Sequence, residues 1–297
     1  MRSDSGSNDR RFLFYAAWLL LSVALFWKPY IGLVRFSLAN ENASHIVLVP
    51  FISLWLIYLE KKKIFQHVAF GYSLAGVLFV LSAAAYLSAW HSAVATASTD
   101  VLSLYALALV LFWISGFVLF FGAAAAKHGR FSLFLLFLAI PLPEVLLNPT
   151  IYYLQKGSAD IAGMIFDLTG VPALREGFVF HLARVNIEVA KECSGIRSSL
   201  ALLILALLVG HLFLRKFWKQ AVFVIAGILV MIIKNGVRIA TLTILAQYVD
   251  PSFLFGRLHH DGGVVFFLLG LLLLWPILWL LQRGEKSEGM PVVQARG

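Results

Sequence analysis

Eight apolar runs in this 297-residue chain approach or exceed the length that crosses a lipid bilayer. A spanning helix takes about 20 mainly apolar residues, and its backbone must satisfy its own hydrogen bonds because hydrocarbon offers none. The expected fold class is therefore an all-α polytopic membrane protein. The candidate spans are residues 12–27, 46–59, 68–90, 101–126, 131–147, 199–214, 221–248 and 264–281. The run 46–59 is the shortest of them. Composition agrees: 61% of residues are hydrophobic and 13% charged, the latter about half the share of a soluble domain. No soluble linker, low-complexity stretch or clear repeat divides the set, so a single membrane domain over 1–297 is expected.

The net charge of +9 would suit a nucleic-acid partner if it were gathered on one surface. Instead it is parcelled between apolar runs, so membrane lipid is an expected partner and nucleic acid is not. EKKK (60–63), KHGR (127–130), RKFWK (215–219) and the tail from Arg283 are short and basic. The connections 28–45, 91–100, 148–198 and 249–263 have no such excess. In the longest, Lys156, Arg175, Arg184, Lys191 and Arg197 balance Asp160, Asp167, Glu176, Glu188 and Glu192. With eight spans, every basic connection falls on the side of both termini. The positive-inside rule then puts both termini in the cytoplasm and 148–198 outside. The stretch before Lys28 has the basic-then-apolar order of a signal peptide but no small-x-small cleavage site, and reads as an uncleaved signal anchor. Arg10 and Arg11 read as a cytoplasmic charge anchor, with only a faint likeness to a twin-arginine signal.

The outer segment is patterned. Residues 148–172 carry apolar side chains at roughly helical spacing, as in an interfacial helix on the outer leaflet. Residues 176–192 alternate and are β-branched, which predicts a short hairpin turning near Ala183–Asn186 and leading into Cys193. The competing reading is an ordered loop with no role beyond connection.

Cys193 is the only cysteine, which excludes an intramolecular disulfide and a multi-cysteine metal site. A structural thiol belongs among Leu and Val, because free Cys behaves as a small hydrophobe. Cys193 stands instead among Glu192, Ser194, Gly195 and Arg197. Ser194 and Gly195 ahead of an apolar run suit a helix start, whose N–H groups and dipole stabilise a thiolate. An inert filler is the plain alternative. On the seventh span Asn235 and Arg238 share a face, as do Lys234 and Arg238. An ionisable residue within a span is costly and normally faces the bundle interior, although an arginine can also snorkel to headgroups. Before the eighth span stand His259 and His260; with Asp261 they form at most a weak metal site, and role-free loop histidines are the alternative. Cys, Arg and His from three spans on one face make the inventory of a cysteine acyl-transfer enzyme.

ECSGIRSSLALL, NGVRIA and HHDGGVVFF, in this order on the last three spans, resemble the exosortase/archaeosortase family of membrane cysteine transpeptidases. The likeness covers roughly residues 138–270, and earlier spans match in hydropathy alone. The resemblance implies a protease and transpeptidase that cleaves C-terminal sorting tails from exported proteins and transfers the new C-terminus to an acceptor. Such a tail has a Pro-Glu-Pro-type motif, a transmembrane helix and a basic end. By resemblance, Cys193 is the acyl-thioester nucleophile, Arg238 the proton donor to the leaving amine, and a histidine stabilises the transition state. The spacing H-x-x-x-G-x-x-x-F fits His259, Gly263 and Phe267, with His260 as competitor. Asn235, Ser194 and Gly195 are supporting candidates. No cofactor and no metal is implied. The expected partners are membrane-anchored substrates with a sorting tail and an acceptor nucleophile. The expected place is a bacterial inner membrane with the active site on its outer face, linked to exopolysaccharide or surface assembly. A different class is a transporter or assembly subunit for exopolysaccharide or lipid-linked sugar, in which Lys234 and Arg238 bind phosphate and Cys193 is incidental.

Overall fold

Prolines and glycines, more than charges, decide where the apolar runs break into helices. The computed structural model describes residues 5–40, 43–93, 98–190, 196–254 and 263–283, which are mostly helical. It divides into two compact units, Met1–Leu146 and Leu147–Gly297.

The first unit holds α1 (Ser5–Leu25), α2 (Trp27–Ala39), α3 (His45–Leu59), α4 (Lys61–Ile64), α5 (Tyr72–Ala93), α6 (Thr99–His128) and α7 (Arg130–Leu135), which runs into a 3-10 turn at Leu136–Ala139. Serine hydroxyls tie α5 to α6: Ser82 Oγ donates to the Ala108 carbonyl at 2.7 Å and Ser115 Oγ to the Ala75 carbonyl at 2.9 Å. The pairing order makes the two helices antiparallel. Buried hydroxyls need such partners because desolvating them unpaired is costly. α6 is interrupted at Gly122, where φ is +87°. Outside donors take the carbonyls around the break. Gly71 N–H donates to Leu119 O at 3.2 Å, Arg11 Nη1 to Phe120 O at 2.8 Å, and Ala69 N–H to Phe121 O at 3.3 Å. A Cβ at residue 122 would stand 2.7 Å from the Ala69 carbonyl oxygen, so both φ and contact require glycine.

The second unit is built from α8 (Glu144–Thr169), strands β1 (Leu174–Glu176), β2 (Val179–His181) and β3 (Asn186–Glu188), then α9 (Ile196–Phe213), α10 (Phe217–Tyr248), a 3-10 turn at Pro251–Leu254 and α11 (Gly263–Arg283). The strands form one antiparallel sheet in the order β1-β2-β3, with Glu176 opposite Val179 and Phe180 opposite Ile187. Gly177 opens the two-residue turn between β1 and β2 with φ +62°, the glycine position of a type II′ turn. The turn between β2 and β3 falls at 182–185, and β1 is a strand beyond the expected hairpin.

Three expectations change. The segment 28–45, read as a connection, contains α2, and Asp9–Leu25 and Trp27–Ala39 meet at 80°. The apolar run 131–147 is not one helix: it ends at Ala139, and α8 starts at Glu144. Pro141 and Pro143 lack the N–H a helix needs, and each pushes its preceding residue toward extended backbone; Ile140 accordingly has ψ 124°. Finally, four helices are long and apolar enough to cross a membrane, or six if each of two bent pairs counts once. His45–Leu59 and Ser198–Phe213 are shorter apolar helices. The helical spacing over 148–172 falls in α8, which ends before Gly170, whose φ is +69°.

Candidate active site

With 32 residues, α10 is about 48 Å long at 1.5 Å per residue, well beyond a hydrocarbon core of about 30 Å. Its two parts serve different neighbours. Phe223, Val230 and Met231 share an apolar core with Leu202 and Ala206 of α9 and Leu274 of α11. Ile239 and Ala240 instead join Ala159, Ala162 and Phe166 of α8 and Phe180 and Val189 of the sheet region. The changeover falls on Lys234–Arg238, where the polar residues are.

Of Lys234-Asn235-Gly236, the lysine faces α9 and α11 while the asparagine and the glycine face α8, a division that follows from successive helical positions pointing about 100° apart. Lys234 is 2% exposed and donates to the hydroxyl of Ser198, on the first turn of α9. Gly270 of α11 packs against the lysine's methylenes. Asn235, 1% exposed, donates from Nδ2 to Ser158 Oγ of α8 at 3.0 Å. A Cβ on Gly236 would lie 2.5 Å from Ile161 Cβ and 2.9 Å from the Ser158 carbonyl oxygen, so the glycine lets α10 and α8 touch through their backbones. Arg238 is half-buried and stands one turn, about 6 Å, beyond Lys234 toward the C-terminus of α10. α9 and α10 are antiparallel, so that step carries Arg238 past the level of the first turn of α9.

The segment holding the cysteine is tethered on both sides. Before it, Val189 is buried, its N–H donates to the Phe178 carbonyl at 2.9 Å, and its carbonyl accepts Gln155 Nε2 of α8 at 2.8 Å. After it, Ile196 is 3% exposed and starts α9, and Ser198 is held by Lys234. The sheet is also held by α10, since Gln247 Oε1 accepts the Arg184 N–H at 3.0 Å. Phe166 packs edge-on to Phe180 with centroids 5.2 Å apart, and Arg175 pairs with Asp160 at 2.7 Å. After α10, Asp250 Oδ1 accepts the Ser252 N–H at 2.7 Å, a bond that holds the carboxyl below its ordinary range. The chain then enters the histidine segment and returns as α11 at Gly263.

Of the residues singled out from sequence, Asn235 and Arg238 stand in this polar cluster, with Lys234 beside them. Cys193, Ser194, Gly195, His259 and His260 lie outside the described residues. Among the described residues no three His, Cys, Asp or Glu side chains gather as a metal site. Sequence reasoning missed Gln155, Ser158, Ser198 and Gln247. The available signal was Gln155 and Ser158 three apart on a face of α8 otherwise made of Leu154, Ala159, Ala162 and Phe166.

A family model described as transmembrane exosortase matches residues 36–276. The match begins well before the 138–270 stretch that carries the motifs, and takes in helices of the first unit. Neither a curated protein nor a solved structure matches the chain.

Proposed function

The chain belongs to the transmembrane exosortase family, and on that ground we propose that it is a membrane cysteine transpeptidase acting on the C-terminal sorting tails of exported proteins. The family match is the observation that carries this reading. The polar changeover on α10 supports it, because a buried lysine and asparagine within an apolar bundle are costly and mark function more often than architecture.

In the proposed reaction the Cys193 sulfur, as thiolate, attacks the scissile carbonyl carbon. The C–N bond breaks, the leaving amine takes a proton from the Arg238 side, and the substrate is left as an acyl-thioester. An acceptor nucleophile then attacks the thioester carbonyl, the C–S bond breaks to release the thiolate, and the acceptor's proton returns to the Arg238 side. His259 stabilises the charge that develops on the carbonyl oxygen, and the supporting residues are Ser194 and Gly195 after Cys193, Asn235 three before Arg238, and His260 beside His259. A substrate held by its own helix presents its scissile bond at a fixed depth, which replaces a three-dimensional search with a two-dimensional one.

The same reading assigns eight crossings: the four long helices, the bent pair Asp9–Leu25 with Trp27–Ala39, the apolar run 131–147, and the two shorter apolar helices. It treats the chain as one membrane domain, sets both termini in the cytoplasm of a bacterial cell, and puts the cysteine segment on the outer face of the inner membrane. Recognition of the tail then falls to the sheet and α8, which share that face.

The test is an exported reporter ending in a Pro-Glu-Pro-type motif, a helix and a basic end, expressed with the protein in cells. Loss of the tail with the wild-type chain, and its retention with Cys193→Ala and Cys193→Ser at equal protein levels, is the expected result. Normal processing by Cys193→Ser and Cys193→Ala would sink the thiol mechanism, and a tail kept equally with and without the wild-type chain would return the chain to the transporter class, where the thiol is incidental.

A further inference from the structure

Three basic stretches that are far apart in the sequence meet at one end of the first unit. Ile64, which closes α4, is fully buried, and a Cβ on Gly129 would stand 3.3 Å from its Cδ1. That contact sets Lys61–Lys63 beside Lys127 and Arg130. Phe65 packs on Phe121 with centroids 4.8 Å apart, and Phe12 of α1 packs on Phe65 at 4.9 Å, which brings Arg10 to the same end. All of these cationic side chains are exposed. Among the described residues no carboxylate pairs with Lys62, Lys63, Lys127 or Arg130. Cations at a helix C-terminus offset its dipole, which accounts for Lys127 and His128 in the last turn of α6. It does not account for the gathering of like charges from separate stretches, whose summed field draws anions.

The surface bordering these cations indicates which anion they meet. On α3, Leu54 and Tyr58 are exposed and four apart, so they share a face, and Lys61 Nζ stands 4.0 Å over the Tyr58 ring. On α7, Phe134 is exposed and one turn from Arg130. Ser53 Oγ donates to the Ser132 carbonyl at 2.7 Å, so the two helices lie together. Charged heads next to exposed apolar side chains match the order of phosphate and acyl chains in a phospholipid. We propose that this end of the first unit binds an anionic phospholipid: Lys61–Lys63, Lys127 and Arg130 hold the headgroup phosphate, and the acyl chains lie along the exposed faces of α3 and α7. A free phosphate would leave those faces uncovered. The inference rests on the chain being a membrane protein of its family and not on the transpeptidase reading.

The test uses the full-length, detergent-solubilised protein and counts bound lipid by native mass spectrometry during titration with phosphatidylglycerol or phosphatidylcholine. Wild type is expected to bind phosphatidylglycerol about tenfold more tightly, and concentrated ammonium acetate should shrink that preference. Equal retention of the two lipids overturns the proposal. Lys61→Gln/Lys63→Gln and Lys127→Gln/Arg130→Gln remove two charges each from different stretches, and each pair should weaken phosphatidylglycerol binding about tenfold. Arg215→Gln/Lys216→Gln removes two exposed charges from another basic connection and should leave binding close to wild type. Equal loss in all three variants means a diffuse positive field with no site, and loss in only one of the first two means that the stretches do not converge; either overturns the proposal. Excess glycerol phosphate should not displace the lipid, and displacement at equal concentration would assign the cations to a soluble phosphate instead. The exchanged side chains are exposed, and melting of the lipid-free variants checks that they fold. If one pair fails to accumulate, the other pair and the wild-type salt dependence decide: unchanged binding in both overturns the proposal. Lipid, not tail cleavage, is read, so failure here is distinct from failure of the Cys193 variants.

Discussion

At the scale of residues, Asn235, Gly236 and Arg238 of α10 do three different jobs, and each predicts its own loss. Gly236→Ala drives a methyl into Ile161 and the Ser158 carbonyl oxygen. Overpacking of this kind costs about 1–3 kcal/mol, which thermal unfolding of the solubilised protein should register. Asn235→Ala leaves the Ser158 hydroxyl without that donor inside the protein, a loss of about 1–3 kcal/mol by the same measurement. In the proposed reaction Arg238 acts by geometry as well as charge, so Arg238→Lys should not rescue tail processing; loss of one such contact costs about 10²–10³ in rate. Near wild-type processing by Arg238→Ala would remove the residue from the reaction. Of the two histidines, the spacing to Gly263 and Phe267 selects His259. His259→Ala should abolish processing and His260→Ala keep most of it; the reverse pattern would shift the register by one residue.

At the scale of elements, the sheet and the cysteine segment are coupled through Val189, which Gln155 holds against α8. Gln155→Leu should raise hydrogen exchange over 179–189 while leaving the α9–α11 core protected. Equal protection of the sheet in the variant would mean that the glutamine is not its tether. Some elements were legible in the sequence and others were not, for physical reasons. Long apolar runs announced α5, α6, α10 and α11, because a spanning helix has no other way to satisfy its backbone. α2 was hidden by Lys28, Pro29 and Arg35, which read as punctuation although a proline near a helix start is tolerated. The run 131–147 was read through Pro141 and Pro143 because its hydropathy is continuous, and hydropathy carries no information about missing N–H donors. Alternation revealed β2 and β3, whereas β1 was masked by the turn glycine at 177. The polar cluster was half legible: Asn235 and Arg238 stand out against Ile and Val, but that Lys234 meets Ser198 depends on how deeply α9 and α10 overlap. No local pattern records that depth.

At the scale of the whole molecule, the distribution of positive charge carries the proposed orientation of the chain. Basic connections at 60–63, 127–130 and 215–219 alternate with neutral ones, so Cys193 is expected outside and Lys61–Lys63 inside. A membrane-impermeant thiol reagent on intact spheroplasts should label the single cysteine, and labelling that needs an opened membrane would invert the topology. The central claim is that this thiol carries the substrate. Wild-type protein is mixed with a sorting-tail substrate, quenched in acid and digested, and the Cys193 peptide is examined by mass spectrometry with and without hydroxylamine. The account predicts a peptide heavier by the substrate's new C-terminal fragment, lost on hydroxylamine treatment and absent from Arg238→Ala or slower to form there. Tail cleavage that proceeds at full rate while the Cys193 peptide stays unmodified, and that survives Cys193→Ala, would contradict it.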